Sequence, residues 1–217
     1  MKNIDISQYD GSVQVQKIHY DFLNYVNLER WDSYYHQIEE TLAFNPKSVL
    51  IVGVGDNIVG TILSQQNVNI TTFDFDETLY PDILGDIANI KNILQGKKFD
   101  VLICCQVLEH LPYENFEQIL QQFSEITNNV VISLPYSPAY FQIDIKIPRI
   151  RERRMLINIH KGYKKFVPNK QHYWEIGYKG FSKRKIQKSI TKYFEIKKQF
   201  TAKNCHYHLF FTLTKVK

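Results

Sequence analysis

Ser48-Val49-Leu50-Ile51-Val52-Gly53-Val54-Gly55-Asp56-Asn57 is the stretch on which the fold turns. Three of its four consecutive apolar residues are β-branched, and no polar residue interrupts them. Such a run suits a parallel strand buried on both faces. Two glycines spaced by one residue follow, then a helix-compatible segment from Ile58. Glycine permits positive φ and close approach of a ligand to the backbone, while a helix start offers unpaired N–H groups.

Working outward, residues 1–45 form a helical lead-in, with Trp31, Tyr34, Tyr35, Ile38 and Leu42 at helical spacing and Pro46 ending it. The spacing predicts a first strand over 47–53 and a helix over about 57–66. A second strand over 68–74 ends in Asp74, and a short third over 81–86 ends in Asp86. A buried fourth strand runs over 99–105, a helix over 113–126 and a fifth strand over 129–135, cut off by Pro135. Strands alternating with helices imply a doubly wound, mostly parallel α/β sheet. Residues 136–180 break the rhythm and read as an inserted basic arm. Ser182 caps a last helix, to about Lys192. Strands over 194–201 and 206–215 then make an antiparallel closing pair, seven strands in all within a single domain over 1–217.

The composition restricts the function. No apolar run approaches the ~18 residues of a membrane span, and no secretory pattern opens the chain. Cys104, Cys105 and Cys205 form neither a metal-spaced set nor an even disulfide framework, so a reducing, cytoplasmic setting is expected. Charge is divided sharply. Residues 1–139 hold 7 Lys and Arg against 18 Asp and Glu, a balance of −11; residues 140–217 hold 20 against 4, or +16. The second part suits an anionic partner, a small acceptor or nucleic acid, unless it is simply a solvated face.

These motifs in this order resemble the class I S-adenosylmethionine-dependent methyltransferases, over 48–135 and, by pattern, the last two strands. The resemblance implies the class I fold and S-adenosylmethionine as cofactor. It implies a loop around the methionine part made by Gly53, Val54, Gly55, Asp56 and Asn57. Asp74, followed by Phe75, would hold the ribose hydroxyls, a role that a carboxylate fills by accepting two protons at once. Asp86 and Ile87 would meet the adenine, and Cys105 and Gln106 would face cofactor and acceptor together. The chain departs from the family at Ile51, where an acid is usual, and at Asn57, in place of a third glycine. A degenerate, non-catalytic binding module therefore stays open. A nicotinamide dinucleotide fingerprint fails outright, because Ile58 stands where its third glycine would be.

Methyl transfer from a sulfonium is an in-line displacement in which positioning supplies most of the rate. A hydroxyl acceptor gains from a base near neutrality, which suits histidine. His110, after the fourth strand, and His172 with Glu175, in the arm, are the catalytic candidates for O-directed transfer to a small or anionic acceptor. Tyr173 and Trp174 read as packing. Glu109-His110 also resembles part of the metal site of small-RNA 2′-O-methyltransferases, with Gln106 in place of the first glutamate and His172 as the later histidine. No metal is assigned on that basis, and an RNA-directed enzyme using the basic arm is the alternative.

Overall fold

A computed structural model describes residues 15–159, 163–169 and 171–216, without the side chains of Arg151 and Glu152. The first part of the lead-in, the ends of the 161–170 basic stretch and one of the clustered arginine side chains lie outside the described residues.

The lead-in comprises a 3-10 turn over Lys17–Tyr20, a short α1 (Phe22–Tyr25) and α2 (Leu28–Leu42). Asn27 caps α2 by accepting the Arg30 N–H at 2.8 Å. The strands β1 (Ser48–Val52), β2 (Asn69–Asp74), β3 (Ile83–Leu84), β4 (Phe99–Cys105), β5 (Thr127–Pro135), β8 (Phe194–Thr201) and β9 (His208–Lys215) form one sheet in the order β3-β2-β1-β4-β5-β9-β8. All pairs from β3 to β5 are parallel, whereas β9 runs antiparallel to both β5 and β8. This is the expected class I methyltransferase fold. The expected third strand is cut to two residues.

Alternation along the strands divides the core. Leu50, Val52, Leu102 and Cys104 face a cluster with α4 (Ile90–Leu94), α5 (Phe116–Ile126) and α6 (Lys183–Ile190). Val49, Ile51, Val101 and Ile103 face the opposite cluster, with Tyr34 of α2 and Val59 and Leu63 of α3 (Ile58–Ser64). Both faces of the central strands are buried, and for that reason their sequence is continuously apolar. No helix among the described residues is long and apolar enough to cross a membrane.

The arm has two parts with opposite environments. β6 (Ala139–Ile147) and β7 (Ile150–Ile159) pair into a separate antiparallel hairpin, which the sequence reading had left without strands. The later part, by contrast, packs inward: Tyr136 bridges Ile176, and Trp174 is fully buried. The Trp174 indole donates to Leu111 O at 3.1 Å, and its ring stands edge-on to Tyr113 and Phe116. Trp174→Ala should therefore cost about 3–5 kcal/mol of unfolding free energy in urea titration, as large-to-small core changes do. A loss under about 1 kcal/mol, the range of surface substitutions, would mean that the segment is not part of the core.

Candidate functional site

The site forms where β1, β2 and β4 end. Gly53 (φ +85°) and Gly55 (φ +55°) turn the chain after β1, and Asn57 (φ +56°) takes the third left-handed position before α3. A side chain at Gly53 would place its Cβ 2.4 Å from Val107 Cγ2. Asn57 works where glycine is usual because Asn tolerates left-handed geometry. Asp56 caps α3 by accepting the Ile58 N–H at 3.1 Å, and Tyr34 OH donates to its other carboxylate oxygen.

Asp74 ends β2 and faces this loop. Its Oδ2 accepts the Val54 N–H at 2.7 Å and its Oδ1 the Asp76 N–H at 3.0 Å. Burial raises its pKa, with those N–H bonds pulling the other way. Two acceptor oxygens with about four lone pairs leave room for hydroxyl donors. Asp86 caps a 3-10 turn through the Ala88 N–H at 2.8 Å, with Ile87 buried beside it. Gln106 adopts φ +57° and donates its backbone N–H to Ser133 O at 2.9 Å. Burial pushes the Cys105 thiol up to about 12. Every cofactor candidate from the sequence, Phe75 included, lines one pocket together with His110.

Sequence reasoning missed part of that lining. Tyr20, Tyr25 and Arg30 of the lead-in also line the pocket, with the Tyr20 ring against Gly55. The Arg30 guanidinium stacks 3.7 Å from the Tyr25 ring centroid and donates to Tyr25 OH at 2.9 Å. Among the described lining residues, Arg30 is the one Lys or Arg. Asp76 was missed as well. It is buried, with one carboxylate oxygen capping Thr78 and the other, Oδ2, lacking a hydrogen-bond partner. The only sequence signal for Asp76 was its place two residues after Asp74.

A second cluster borders the pocket at His110. Its Nδ1 contacts Gln171 O at 2.7 Å, and its ring lies 5.1 Å from that of His172. Burial and the neighbouring His172 lower the His110 pKa to about 4, so its imidazole is neutral across the physiological range. His172 and Glu175 do not line the pocket. His172 Nδ1 sits 3.0 Å from Glu175 Oε1, and Tyr207 OH donates to the same carboxylate at 2.8 Å. Burial alone would lower His172. The hydrogen bond to Glu175 and the charges of Glu109 and Glu175 outweigh it, so the net shift is upward. Glu175 shifts the other way: burial opposes ionisation, but bonds from His172, Ser137 and Tyr207 hold it below the usual carboxylate range.

Glu109 is fully buried, and neither carboxylate oxygen has a hydrogen-bond partner. Burial lifts its pKa to about 7 despite His172. Glu109, His110 and His172 each bring one ligand atom within 4.8 Å of the others, a spacing that a bridging cation could span.

No family model matches the chain. The ubiquinone biosynthesis O-methyltransferase of Rickettsia bellii strain OSU 85-389 is 28% identical over 109 residues, 45% of this chain and 42% of that protein. The match thus spans under half the length of that curated relative. Among solved structures, the N-methyltransferase NodS of Bradyrhizobium japonicum WM9 with S-adenosyl-L-homocysteine superposes at TM-score 0.60 and 8% identity, covering 88% of this chain and 89% of that one. The 1,6-didemethyltoxoflavin-N1-methyltransferase of Burkholderia thailandensis superposes at 0.58 and 13% identity, covering 85% and 79%. Likeness at these identities fixes the fold.

Proposed function

We propose that this chain is an S-adenosylmethionine-dependent methyltransferase directed to an oxygen of a small acceptor. The observation that carries the reading is Asp74, buried at the end of β2 and hydrogen-bonded to the glycine loop at the end of β1. A ligand lying across that junction meets a backbone with no side chain at Gly53, hydroxyl acceptors at Asp74 and the unpartnered Asp76 Oδ2, and one cation at Arg30. The donor set matches the cofactor's ribose diol and its amino-acid carboxylate. A ring of adenine size would meet Phe75, Asp86 and Ile87. The N-methyltransferase neighbours support methyl transfer in general, and the curated O-methyltransferase relative favours an oxygen acceptor.

When bound, the cofactor supplies a methyl group on a sulfonium, electrophilic without further activation. The chain's own residues must hold the acceptor in line and remove its proton. His110 faces the pocket as a neutral imidazole. Behind it, His172 is oriented by Glu175 and Tyr207 and can accept the acceptor proton through His110. This cluster favours a hydroxyl acceptor, which must lose a proton.

Calorimetric titration with S-adenosylmethionine, followed by an acceptor screen with labelled donor, tests the reading. Micromolar binding is expected, with turnover unchanged by EDTA. No heat at millimolar cofactor would overturn the methyltransferase reading. Loss of turnover in EDTA, restored by a divalent ion, would instead give Glu109, His110 and His172 to a metal.

A further inference from the structure

The β6–β7 hairpin is turned inside out relative to an ordinary sheet. Its polar face looks toward the body. There Tyr140 packs 4.4 Å from the His206 ring, His206 Nε2 meets Asn158 Oδ1 at 2.7 Å, and Arg154 donates to Gln142 at 2.8 Å. Its other face is apolar and bare. Phe141 pairs with Ile157, Ile143 with Met155 and Ile147 with Ile150, and each of these side chains is 39–60% exposed. Ile145 continues the stripe opposite Arg153, and both are exposed. A lone two-stranded hairpin is marginal in water, and a continuous apolar patch of this kind marks a binding surface.

We propose that this face docks on an anionic phospholipid bilayer. Charge decides against a second copy of the chain. Interface cores between proteins are depleted of charged residues, yet Arg153 interrupts the stripe, and exposed Lys146 and Arg149 border its tip. Stacking two such hairpins would set these like charges against each other. A headgroup layer accepts both, drawing the cations to anionic lipid while the isoleucines enter the acyl boundary. The +16 balance of residues 140–217 adds to the attraction.

Position agrees with this occupant. The hairpin follows β5 almost directly, so it rises from the same strand ends that bear the pocket. Its base shares a groove with Leu28 and Trp31 at the start of α2. Leu28 is 85% exposed, and Leu23, on the lead-in that lines the pocket, is 93% exposed. This proposal stands independently of the methyltransferase reading, since it concerns only what the outer face meets.

The test is co-sedimentation of the full chain with phosphatidylcholine vesicles, with and without phosphatidylglycerol. The chain should pellet with the anionic vesicles only. Ile145→Asp combined with Ile157→Asp should reduce partitioning at least tenfold. Arg149→Glu with Arg153→Glu leaves the apolar stripe intact and should do the same at low salt, with the difference from wild type shrinking as salt screens the attraction. Circular dichroism checks the hairpin in each variant; should the aspartate pair unfold it, the arginine pair carries the test. A wild-type chain that stays in the supernatant with both vesicle types overturns the proposal. So does pelleting of both double variants to the same extent as wild type. A wild-type dimer that Ile145→Asp converts to monomer in sedimentation velocity would assign the face to a second copy instead, and would equally overturn it.

Discussion

Alanine at Asp74 should weaken S-adenosylmethionine binding about a hundredfold, roughly 2.7 kcal/mol. Two losses act together. The ribose hydroxyls lose their charged acceptor, and the loop loses its anchor, because the same carboxylate takes the Val54 N–H at 2.7 Å and the Asp76 N–H at 3.0 Å. The second loss also leaves two buried donors unsatisfied, so thermal stability should fall, which ligand contact alone would not require. Asp74→Asn should lie between, since its amide keeps one acceptor oxygen but turns a donor toward a backbone N–H. Calorimetry well below the melting temperature separates binding from stability. An unchanged Kd in Asp74→Ala would remove Asp74 from the ribose site.

How much of this was legible in the sequence depended on the physical origin of each feature. β1 and β4 were plain, because strands buried on both faces leave continuous apolar runs such as Val49–Val52 and Val101–Cys104. The loop was plain because positive φ at Gly53 and Gly55 restricts which residues can stand there. β3 was overestimated: an edge strand paired over two positions needs little pattern, and proline and acids flank it. The hairpin did carry a signal, for Phe141, Ile143, Ile145 and Ile147 alternate with Gln142, Asp144 and Lys146. Its clustered cations drew the reading toward charge and away from period two. Arg30 and Tyr207 were not legible at all, since what places them is tertiary packing between segments far apart in the chain. His172 and Glu175 were legible as residue types, whereas their opposite pKa shifts needed the geometry.

Those opposite shifts make the last expectation specific. His172→Ala should cut turnover by about 10²–10⁴-fold, the usual worth of a positioned base, while cofactor Kd stays within about twofold. The groups facing His172 are Glu175 at 3.0 Å, Tyr207 OH at 3.3 Å, the buried Glu109 and the His110 ring. Burial works against the charged form, but the bond to Glu175 and the charges of Glu109 and Glu175 hold its pKa above the ordinary imidazole value of about 6.5. A base works only when deprotonated, so kcat/KM should climb with pH along a limb centred above that value. Glu175→Gln removes one of the two charges that lift His172 and leaves Glu109 alone against burial, so the limb should move to lower pH even as the maximum rate falls. A merely structural Glu175 would lower the rate without moving the limb. His110, lowered to about 4, would as sole base leave the profile flat from pH 5 upward. A flat profile, or a limb that Glu175→Gln leaves in place, would therefore take the proton from His172.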